Sequence, residues 1–316
     1  MSKIEADLVS TIIPVFNRSS MLQAAVRSVL AQSYRPIEII IVDDGSNDET
    51  TDVVNKLVQQ YPEIIALFQE NAGPGVAREN GRQHARGEFI QYLDSDDQLL
   101  PEKFSLQVAA LHENQNCNAA YGKTDSRQLQ SDQPEKAWKL TGEKINSMFP
   151  EFLKSRWWST STPLYRRSAI DKAGPWLALI NEEDWEYDCR IAAQGGELAY
   201  VDEFVSVKYF HDEHLSSYGG VDKKKLQDRC IAREHIFESA SKSAVPIPQE
   251  TLIFFSKSVF LLARQCAKQN MGDCVERMLL LANQARGGSN IKLSVFAMIG
   301  KVFGWRVAAN IAEIIQ

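Results

Sequence analysis

Two carboxylates with one residue between them follow an apolar segment early in the chain. Asp94 and Asp96 come directly after the run 89–93, which has the composition of a buried strand. Carboxylates at a strand end suit a hard divalent cation, which takes oxygen ligands and usually keeps a substrate diphosphate in its shell. Such a cation would neutralise charge that builds on a leaving group. The alternative is that one acid only caps a following helix.

A second acidic pair, Asp43 and Asp44, ends the β-branched run 37–42. Two acidic strand ends in one crevice are costly without a counter-ion or a donor-rich ligand. Asp44 is therefore expected to accept a hydrogen bond from the base or ribose of a nucleotide. Taken alone, the pair favours an ordinary Asp-Gly turn with side-chain to backbone bonds.

The elements that must position these acids are predicted from hydrophobic periodicity. Short apolar runs alternate with helical patterns, which is typical of βαβ units on a mostly parallel sheet. The predicted strands span 8–15, 37–42, 64–69 and 89–93, and the helices between them span 19–31, 47–60 and 76–85. Since parallel strands end at one edge, where open α/β sheets bind ligands, we expect the acids to meet there.

The rest of the chain shows more helix than strand. We predict a helix over 101–112, a strand near 119–122, a polar surface loop to about 138 and another strand over 160–166. Helices are predicted over 168–173 and 181–193, and beyond about 220 the sequence is helical throughout with a break at 245–248.

Composition and charge narrow the class of partner and compartment. The chain has 316 residues, a formal net charge of -6 and 44% hydrophobic residues, so we expect no nucleic acid partner. Its five cysteines include no C-x-x-C pair, which argues against a disulfide framework or a zinc site. The residues 1–7 lack a basic start followed by a long apolar stretch. A cytoplasmic protein is the expectation.

The C-terminal segment 291–315 is apolar, but lysines, glycines and an arginine interrupt it, so it does not reach the length that spans a bilayer. We predict helices that pack on the body or on a partner, including a second copy of the chain. The alternative is peripheral docking at the inner face of the cell membrane, supported by three aromatic residues and the cations beside them: Phe296, Phe303 and Trp305.

Four motifs, taken in order, resemble family-2 glycosyltransferases of the GT-A fold. They are Pro14-Val15-Phe16-Asn17, then Val42-Asp43-Asp44-Gly45-Ser46, then Asn71-Ala72-Gly73 with Ala77-Arg78-Glu79-Asn80-Gly81, then Leu93-Asp94-Ser95-Asp96-Asp97. Any one motif is weak, whereas their order and spacing are specific. The resemblance implies an α/β protein with a mixed, mostly parallel sheet flanked by helices and a C-terminal helical extension.

The resemblance also implies roles for residues of the donor site. Those expected to bind the nucleotide sugar are Pro14, Val15, Phe16, Asn17, Asp43, Asp44, Gly75, Arg78, Asp94, Ser95 and Asp96. Arg78 falls where the family places a basic residue near the diphosphate, consistent with bidentate recognition of phosphate oxygens. Asp94 and Asp96 match the D-x-D that holds Mn²⁺ or Mg²⁺, and His211 resembles a family histidine that sometimes lies near the metal.

The second half of the chain carries the expected catalytic and acceptor residues. Asp184 in Asn181-Glu182-Glu183-Asp184-Trp185 matches the family's catalytic base, and Glu183 beside it is expected to orient the base or bind the acceptor. The alternative is that these acids only stabilise a helix N-terminus. Trp157 and Trp158 are expected to offer a platform for an acceptor sugar, against the alternative of core packing.

The expected activity is transfer, with inversion, of a sugar from a nucleotide-diphosphate donor, expected to be UDP-linked, to the hydroxyl of a carbohydrate or lipid-linked acceptor. Such transfer belongs to the synthesis of polysaccharides, glycolipids or glycoprotein glycans. We expect residues 1–110 to bind the nucleotide sugar, 111–219 the acceptor, and 220–316 to form a helical extension. The alternatives are a degenerate carbohydrate-binding protein and a sugar nucleotidyltransferase, whose first strand should open into a glycine-rich loop that is missing here.

Overall fold

A computed structural model describes residues 4–128, 136–210 and 222–314. The chain divides into two compact units. The first unit comprises 1–148, 156–179 and 196–214, and the second comprises 149–155, 180–195 and 215–316. These borders differ from the three predicted segments, because 149–155 and 180–195 group with the C-terminal helices.

The first unit contains an eight-stranded sheet, and its parallel half holds the strands β1 (Glu5–Val15), β2 (Ile37–Asp43), β3 (Ile64–Phe68) and β4 (Gly87–Tyr92). β1 lies between β2 and β4, and β3 pairs with the outer side of β2; all three pairings are parallel. The predicted βαβ pattern is thereby confirmed. Every residue of β2 is buried, as expected for a strand that helices cover on both faces.

Three helices connect these strands: α1 (Ser19–Leu30), α2 (Thr50–Gln60) and α3 (Pro74–His84). α1 buries an apolar stripe of Leu22, Ala25, Val26 and Val29. The Asp48 carboxylate accepts a 2.9 Å hydrogen bond from the Thr50 amide at the start of α2. α3 begins at Pro74, whose missing N–H costs nothing in the first helical turn. Gly81 lets α3 approach the sheet, because an added Cβ would lie 2.4 Å from the Ile12 side chain.

The second half of the sheet was predicted only in part. It contains β5 (Gln98–Leu99), β6 (Cys117–Gln128), β7 (Leu164–Arg166) and β8 (Glu197–Phe210). β7 is antiparallel to both of its neighbours, β4 and β6, whereas β8 is parallel to β6 and antiparallel to β5. β5 and β8 were missed, and the start of the predicted polar loop is strand up to Gln128. Two helices complete this unit: α4 (Lys103–Glu113) and α5 (Arg167–Ala173).

The second unit is helical. It contains a 3-10 turn (Glu151–Leu153), α6 (Glu183–Ala193), α7 (Lys223–Ser241), α8 (Gln249–Lys268), α9 (Gly272–Arg286), α10 (Ile291–Phe303) and α11 (Trp305–Ile314). The predicted break falls between α7 and α8. Within the described ranges, none of the helices combines the length and the apolar character that crossing a bilayer requires.

Candidate active site

The loop after β1 is joined to the loop after β2 by hydrogen bonds. The Asn17 amide donates to Ser46 Oγ at 3.0 Å, and the Asn47 amide donates to Asn17 Oδ1 at 2.9 Å. Asn17 has a φ of 51°, a left-handed conformation that asparagine tolerates better than most residues. The Arg18 amide then donates to Thr50 Oγ1 at 2.9 Å. Of the predicted nucleoside contacts here, Pro14, Phe16 and Asn17 are partly exposed and Val15 is buried.

The Asp43 carboxylate organises the turn after β2. It accepts hydrogen bonds from the Ser46 amide at 3.0 Å and from Thr51 Oγ1 at 2.7 Å, and the residue is 2% exposed. These are the side-chain to backbone bonds expected of the turn alternative. A direct contact between Asp43 and a nucleotide stays a prediction.

Asp44 holds the loop that precedes α3. Its carboxylate accepts hydrogen bonds from Gln69 Nε2 at 2.8 Å, from the Ala72 amide at 2.9 Å and from the Gly73 amide at 2.8 Å. Two backbone donors and one side-chain donor satisfy most of the lone pairs of this buried group. Asp44 therefore ties the carboxyl end of β2 to the N-terminus of α3.

The first turns of α3 present Gly75 and Arg78. A Cβ at Gly75 would lie 2.1 Å from the Leu177 carbonyl oxygen, so this position requires glycine for close approach of the chain. The Arg78 guanidinium donates to Asp94 Oδ1 at 2.8 Å and lies 5.0 Å from the centre of the Trp176 ring. The aromatic face and the carboxylate together fix the direction of a buried cation.

The acids after β4 form a tight turn against two arginines. The Asp97 amide donates to the Asp94 carbonyl at 3.0 Å, and Asp96 forms an ion pair with Arg18 while Asp94 pairs with Arg78. The Asp94 side chain is 25% exposed and that of Asp96 is 9% exposed, whereas Ser95 and Asp97 are buried. Asp94, Asp96 and Asp97 thus lie together with Arg18 and Arg78 at one edge of the sheet, in what we call the sheet-edge cluster.

Asp97 is the most strongly perturbed group of this cluster. Burial raises the pKa of its carboxyl to about 7, and the charges of Asp96 and Asp94 add to the rise, against opposing effects of Lys208 and Ser161. Ser161 Oγ donates to Asp97 Oδ2 at 2.9 Å, while Oδ1 has no hydrogen-bond partner within the described ranges. Desolvation disfavours the charged form, which is the physical cause of the shift.

Asp94 and Asp96 offer the carboxylate oxygens that Mg²⁺ and Mn²⁺ bind, usually with substrate phosphates and water completing the shell. Each of these carboxylates also pairs with an arginine. Over the described part of the chain, no three histidine, cysteine, aspartate or glutamate side chains converge as a metal site would require. His211 lies outside the described residues. The metal ligands therefore stay a prediction.

In the second unit, α7 fixes the segment that leads into α6. Glu182 has a left-handed φ of 59°, and its carboxylate accepts hydrogen bonds from Arg229 at 3.0 Å and Arg233 at 2.9 Å. Arg233 also stacks 4.0 Å from the centre of the Trp185 ring. Asp184 Oδ1 accepts a 2.7 Å hydrogen bond from the Trp185 amide. Glu183 is buried and Asp184 partly exposed at the first turn of α6.

The tryptophan pair of the first unit is buried. Trp157 is 6% exposed and Trp158 is 1% exposed, and the Trp158 ring lies 5.4 Å from that of Tyr121. The packing alternative therefore describes Trp158 in this structure. Acceptor binding by either ring stays a prediction.

Three contacts of the site were not predicted from the sequence. They are the ion pair of Arg18 with Asp96, the contact of the Arg78 guanidinium with the Trp176 ring, and the hydrogen bond from Ser161 to Asp97. Arg18 directly follows a predicted motif, but the direction of a side chain in an irregular loop has no sequence signal. Trp176 and Ser161 lie far along the chain from the groups that they contact.

Curated proteins that are similar in sequence to the chain are named as glycosyltransferases. The chain is 26% identical over 228 residues to the uncharacterized glycosyltransferase YibD of Escherichia coli, a match covering 69% of this chain and 65% of YibD. It is 29% identical over 241 residues to the putative glycosyltransferase EpsH of Bacillus subtilis, a match covering 72% of this chain and 67% of EpsH. The chain thus spans less than two thirds of the length of YibD.

Solved structures share the fold. TarS of S. aureus, residues 1–349 in complex with UDP-GlcNAc, superposes with a TM-score of 0.73 at 15% identity, over 98% of this chain and 92% of that one. A mannosyltransferase of Pyrobaculum calidifontis in complex with GDP-Man and Mn²⁺ superposes with a TM-score of 0.54 at 13% identity, over 97% of this chain and 86% of that one. The predicted GT-A fold is confirmed.

The sequence model of glycosyl transferase family 2 matches residues 10–173, which carry the second half of β1, all of β2 to β4 and every acid of the sheet-edge cluster. The resemblance found in the four motifs is thereby confirmed, and the chain belongs to glycosyltransferase family 2.

Proposed function

We propose that this protein transfers a sugar, with inversion, from a UDP-linked donor to an acceptor hydroxyl, with the help of a divalent cation. The observation that carries the proposal is the pairing of Arg18 with Asp96 and of Arg78 with Asp94 at the sheet edge. Two cations and two carboxylates in one crevice can receive a diphosphate together with a metal ion, because each charge finds a partner of opposite sign.

The donor side of the proposal uses groups that the fold already orients. Arg78, held by Trp176 below it, donates to diphosphate oxygens, and Asp44 keeps the loop before α3 in place for the nucleoside. Asp94 and Asp96 would hold Mn²⁺ or Mg²⁺, which would supply positive charge to the departing diphosphate. The TarS complex with UDP-GlcNAc supports the choice of uridine.

The acceptor side of the proposal assigns Asp184 as the base, with Glu183 orienting it or the acceptor. Asp184 takes the proton of the acceptor hydroxyl as that oxygen attacks the anomeric carbon from the face opposite the diphosphate. The new carbon–oxygen bond forms while the bond to the diphosphate breaks, and nucleoside diphosphate leaves. His211, Trp157 and Trp158 keep their predicted roles as proposals.

The acceptor is proposed to be a carbohydrate or a lipid-linked glycan. A Campylobacter jejuni relative, 37% identical over 106 residues, is named GalNAc(5)-diNAcBac-PP-undecaprenol beta-1,3-glucosyltransferase; the match covers 33% of this chain and 34% of the relative. This name supports a lipid-linked acceptor for the proposal. The family match favours transfer over the nucleotidyltransferase alternative.

Release of nucleoside diphosphate from candidate nucleotide sugars in the presence of Mn²⁺ tests the proposal. Asp96→Ala is expected to abolish metal-dependent donor binding, because it removes a metal ligand. Asp184→Asn is expected to keep donor binding and to lower turnover by about 10²-fold or more, because the amide takes up no proton.

Asp52→Asn, a change of an exposed residue on α2, is the control and should leave donor binding and turnover unchanged. Full turnover in Asp96→Ala and in Asp184→Asn would refute the assigned roles. Donor binding without turnover by the unaltered protein, with every donor and acceptor tried, would favour the degenerate carbohydrate-binding alternative.

A further inference from the structure

The outer face of α10 is apolar and exposed. Ile291, Val295, Met298 and Val302 recur at intervals of three or four residues, and Ile291 and Val302 are 83% and 67% exposed. With about 100° of rotation per residue, these four side chains lie along one line of the helix. The opposite face is buried, so α10 has two apolar faces and packing within the unit covers one.

Lysines border this exposed stripe on both sides. Lys292 and Lys301 are exposed and project about a quarter turn to either side of it. α10 contains no acidic residue, although the whole chain has a net charge of -6. On α11, Arg306 is exposed, and the one acid, Glu313, forms an ion pair with Lys268 of α8. Positive charge therefore borders the stripe on both sides of α10.

A cavity of about 680 Å³ lies beside the stripe, between α8, α10 and α11. Its wall includes Ile291 and Val295 of the stripe, and it is otherwise lined mainly by apolar side chains. Among the residues that the structure describes, four cations and no acid line it: Lys257, Arg264, Arg286 and Lys292. An apolar hollow with only positive charge at its wall suits molecules that join hydrocarbon to an anion.

We propose that α10 and α11 dock on the surface of a membrane that contains anionic lipid. The apolar stripe would enter the boundary between headgroups and acyl chains, and the lysines beside it would meet lipid phosphates. α10 has thirteen residues, too few to cross the hydrocarbon core, so it would lie along the surface. This proposal concerns residues of the second unit, whereas the sheet-edge cluster belongs to the first, and it does not depend on the proposed sugar transfer.

Charge favours a membrane over a second copy of the chain as the occupant. In a two-fold dimer the same patch meets itself, so Lys292 and Lys301 would face a patch that carries the same lysines and no free acid. Anionic lipid supplies both the hydrocarbon for the stripe and the negative charge for its borders.

The corner between α10 and α11 gives the docking surface a fixed shape. The helices meet at Gly304, and the Trp305 ring packs over Gly300, where an added Cβ would lie 2.1 Å from it. The Trp305 and Phe296 rings lie 6.3 Å apart. Phe296, predicted as a membrane contact, is instead buried, whereas Phe303 is exposed.

Sedimentation with vesicles tests the proposal. We expect the full chain to sediment with vesicles of one part phosphatidylglycerol to two parts phosphatidylcholine, but not with phosphatidylcholine alone, and to be released by salt. Met298→Ser with Val302→Ser should weaken this binding by about tenfold or more, and Lys292→Glu with Lys301→Glu should abolish it.

Leu280→Ser on α9 is the matched control, because Leu280 is also exposed, at 61%, but lies outside the stripe. Since all the altered side chains are exposed, each variant should keep the thermal midpoint of the unaltered protein. Absence of binding to anionic vesicles overturns the proposal, and so does equal loss in Leu280→Ser. Self-association that the Met298 and Val302 changes abolish, without vesicle binding, would identify a second copy as the occupant instead.

Discussion

At the scale of single residues, the sheet-edge cluster holds its charges in pairs. Arg18 and Arg78 each take one carboxylate of the acidic turn, so neither Asp96 nor Asp94 is an isolated anion. A divalent cation that binds these acids must share them with, or displace, the guanidinium groups. A donor diphosphate would help by giving the arginines a new anionic partner.

Arg18→Gln is therefore expected to tighten the binding of Mn²⁺ in the absence of nucleotide, by about fivefold or more, because Asp96 loses its competing cation. Calorimetric titration, or the electron paramagnetic resonance signal of free Mn²⁺, measures the affinity of the protein for Mn²⁺. Arg27→Gln, an exposed change on α1, should leave it unaltered. Weaker Mn²⁺ binding in Arg18→Gln would contradict the competition.

Asp97 gives a pH-dependent contribution to stability. Its pKa is raised from 3.8 to about 7, so between these values the folded protein retains a proton that the unfolded chain releases. The free energy of unfolding should therefore fall as pH rises through this window, on the order of a few kcal/mol for a full shift.

Asp97→Asn cannot ionise and should lose less stability between about pH 5 and about pH 8 than the unaltered protein, in urea unfolding with a chelator present. Asp52→Asn, exposed on α2, serves as the comparison and should follow the unaltered protein. Parallel stability curves for Asp97→Asn and the unaltered protein would show that the Asp97 carboxyl does not titrate in this window.

At the scale of elements, the parallel half of the sheet could be predicted because each strand carries a continuous apolar run and the helices between them have a clear period. β8 could not be predicted in this way, because Asp202 and Glu203 interrupt its fourteen residues and the burial of its side chains is uneven. β5, with two residues, is too short to leave a pattern. Tertiary pairing defines both strands.

The sequence predicted the acids of the site because a strand end fixes where the next residues lie. It did not predict which arginine meets which acid. Arg18 reaches Asp96 across 78 positions, and Trp176 supports Arg78 from a turn after α5. Contacts of this kind depend on loop conformation, for which a single sequence carries little signal.

The packing of the first turn of α3 against the backbone at Leu177 depends on Gly75. Gly75→Ala should cost about 1–3 kcal/mol of stability, because the new Cβ would overlap the Leu177 carbonyl oxygen. Donor binding should weaken as well, since Arg78 lies one turn further along α3. Chemical denaturation and nucleotide titration measure the two effects. Gly142→Ala, whose Cβ would lie 3.2 Å from its nearest neighbour, should cost less; equal costs would contradict the steric argument.

At the scale of the whole molecule, acid is in excess, yet the proposed donor is an anion. With a formal net charge of -6, the chain as a whole repels a nucleotide diphosphate. The proposed binding would therefore rely on local cations, namely the arginines of the site and the proposed metal ion. We accordingly expect nucleotide affinity to depend strongly on the metal.

UDP with Mn²⁺ is accordingly expected to raise the thermal unfolding midpoint, whereas UDP with a chelator should raise it far less. A ligand at a hundred times its dissociation constant adds about 2.7 kcal/mol to the stability of the folded state, which corresponds to several degrees for a domain of this size. GDP with Mn²⁺ should give a smaller shift in the unfolding midpoint if uridine is the preferred base.

In Asp96→Ala the part of the midpoint shift that needs Mn²⁺ should disappear, while Asp52→Asn should retain it. A shift of equal size with and without Mn²⁺ would mean that the arginines alone neutralise the diphosphate, and the metal would then have no part in donor binding.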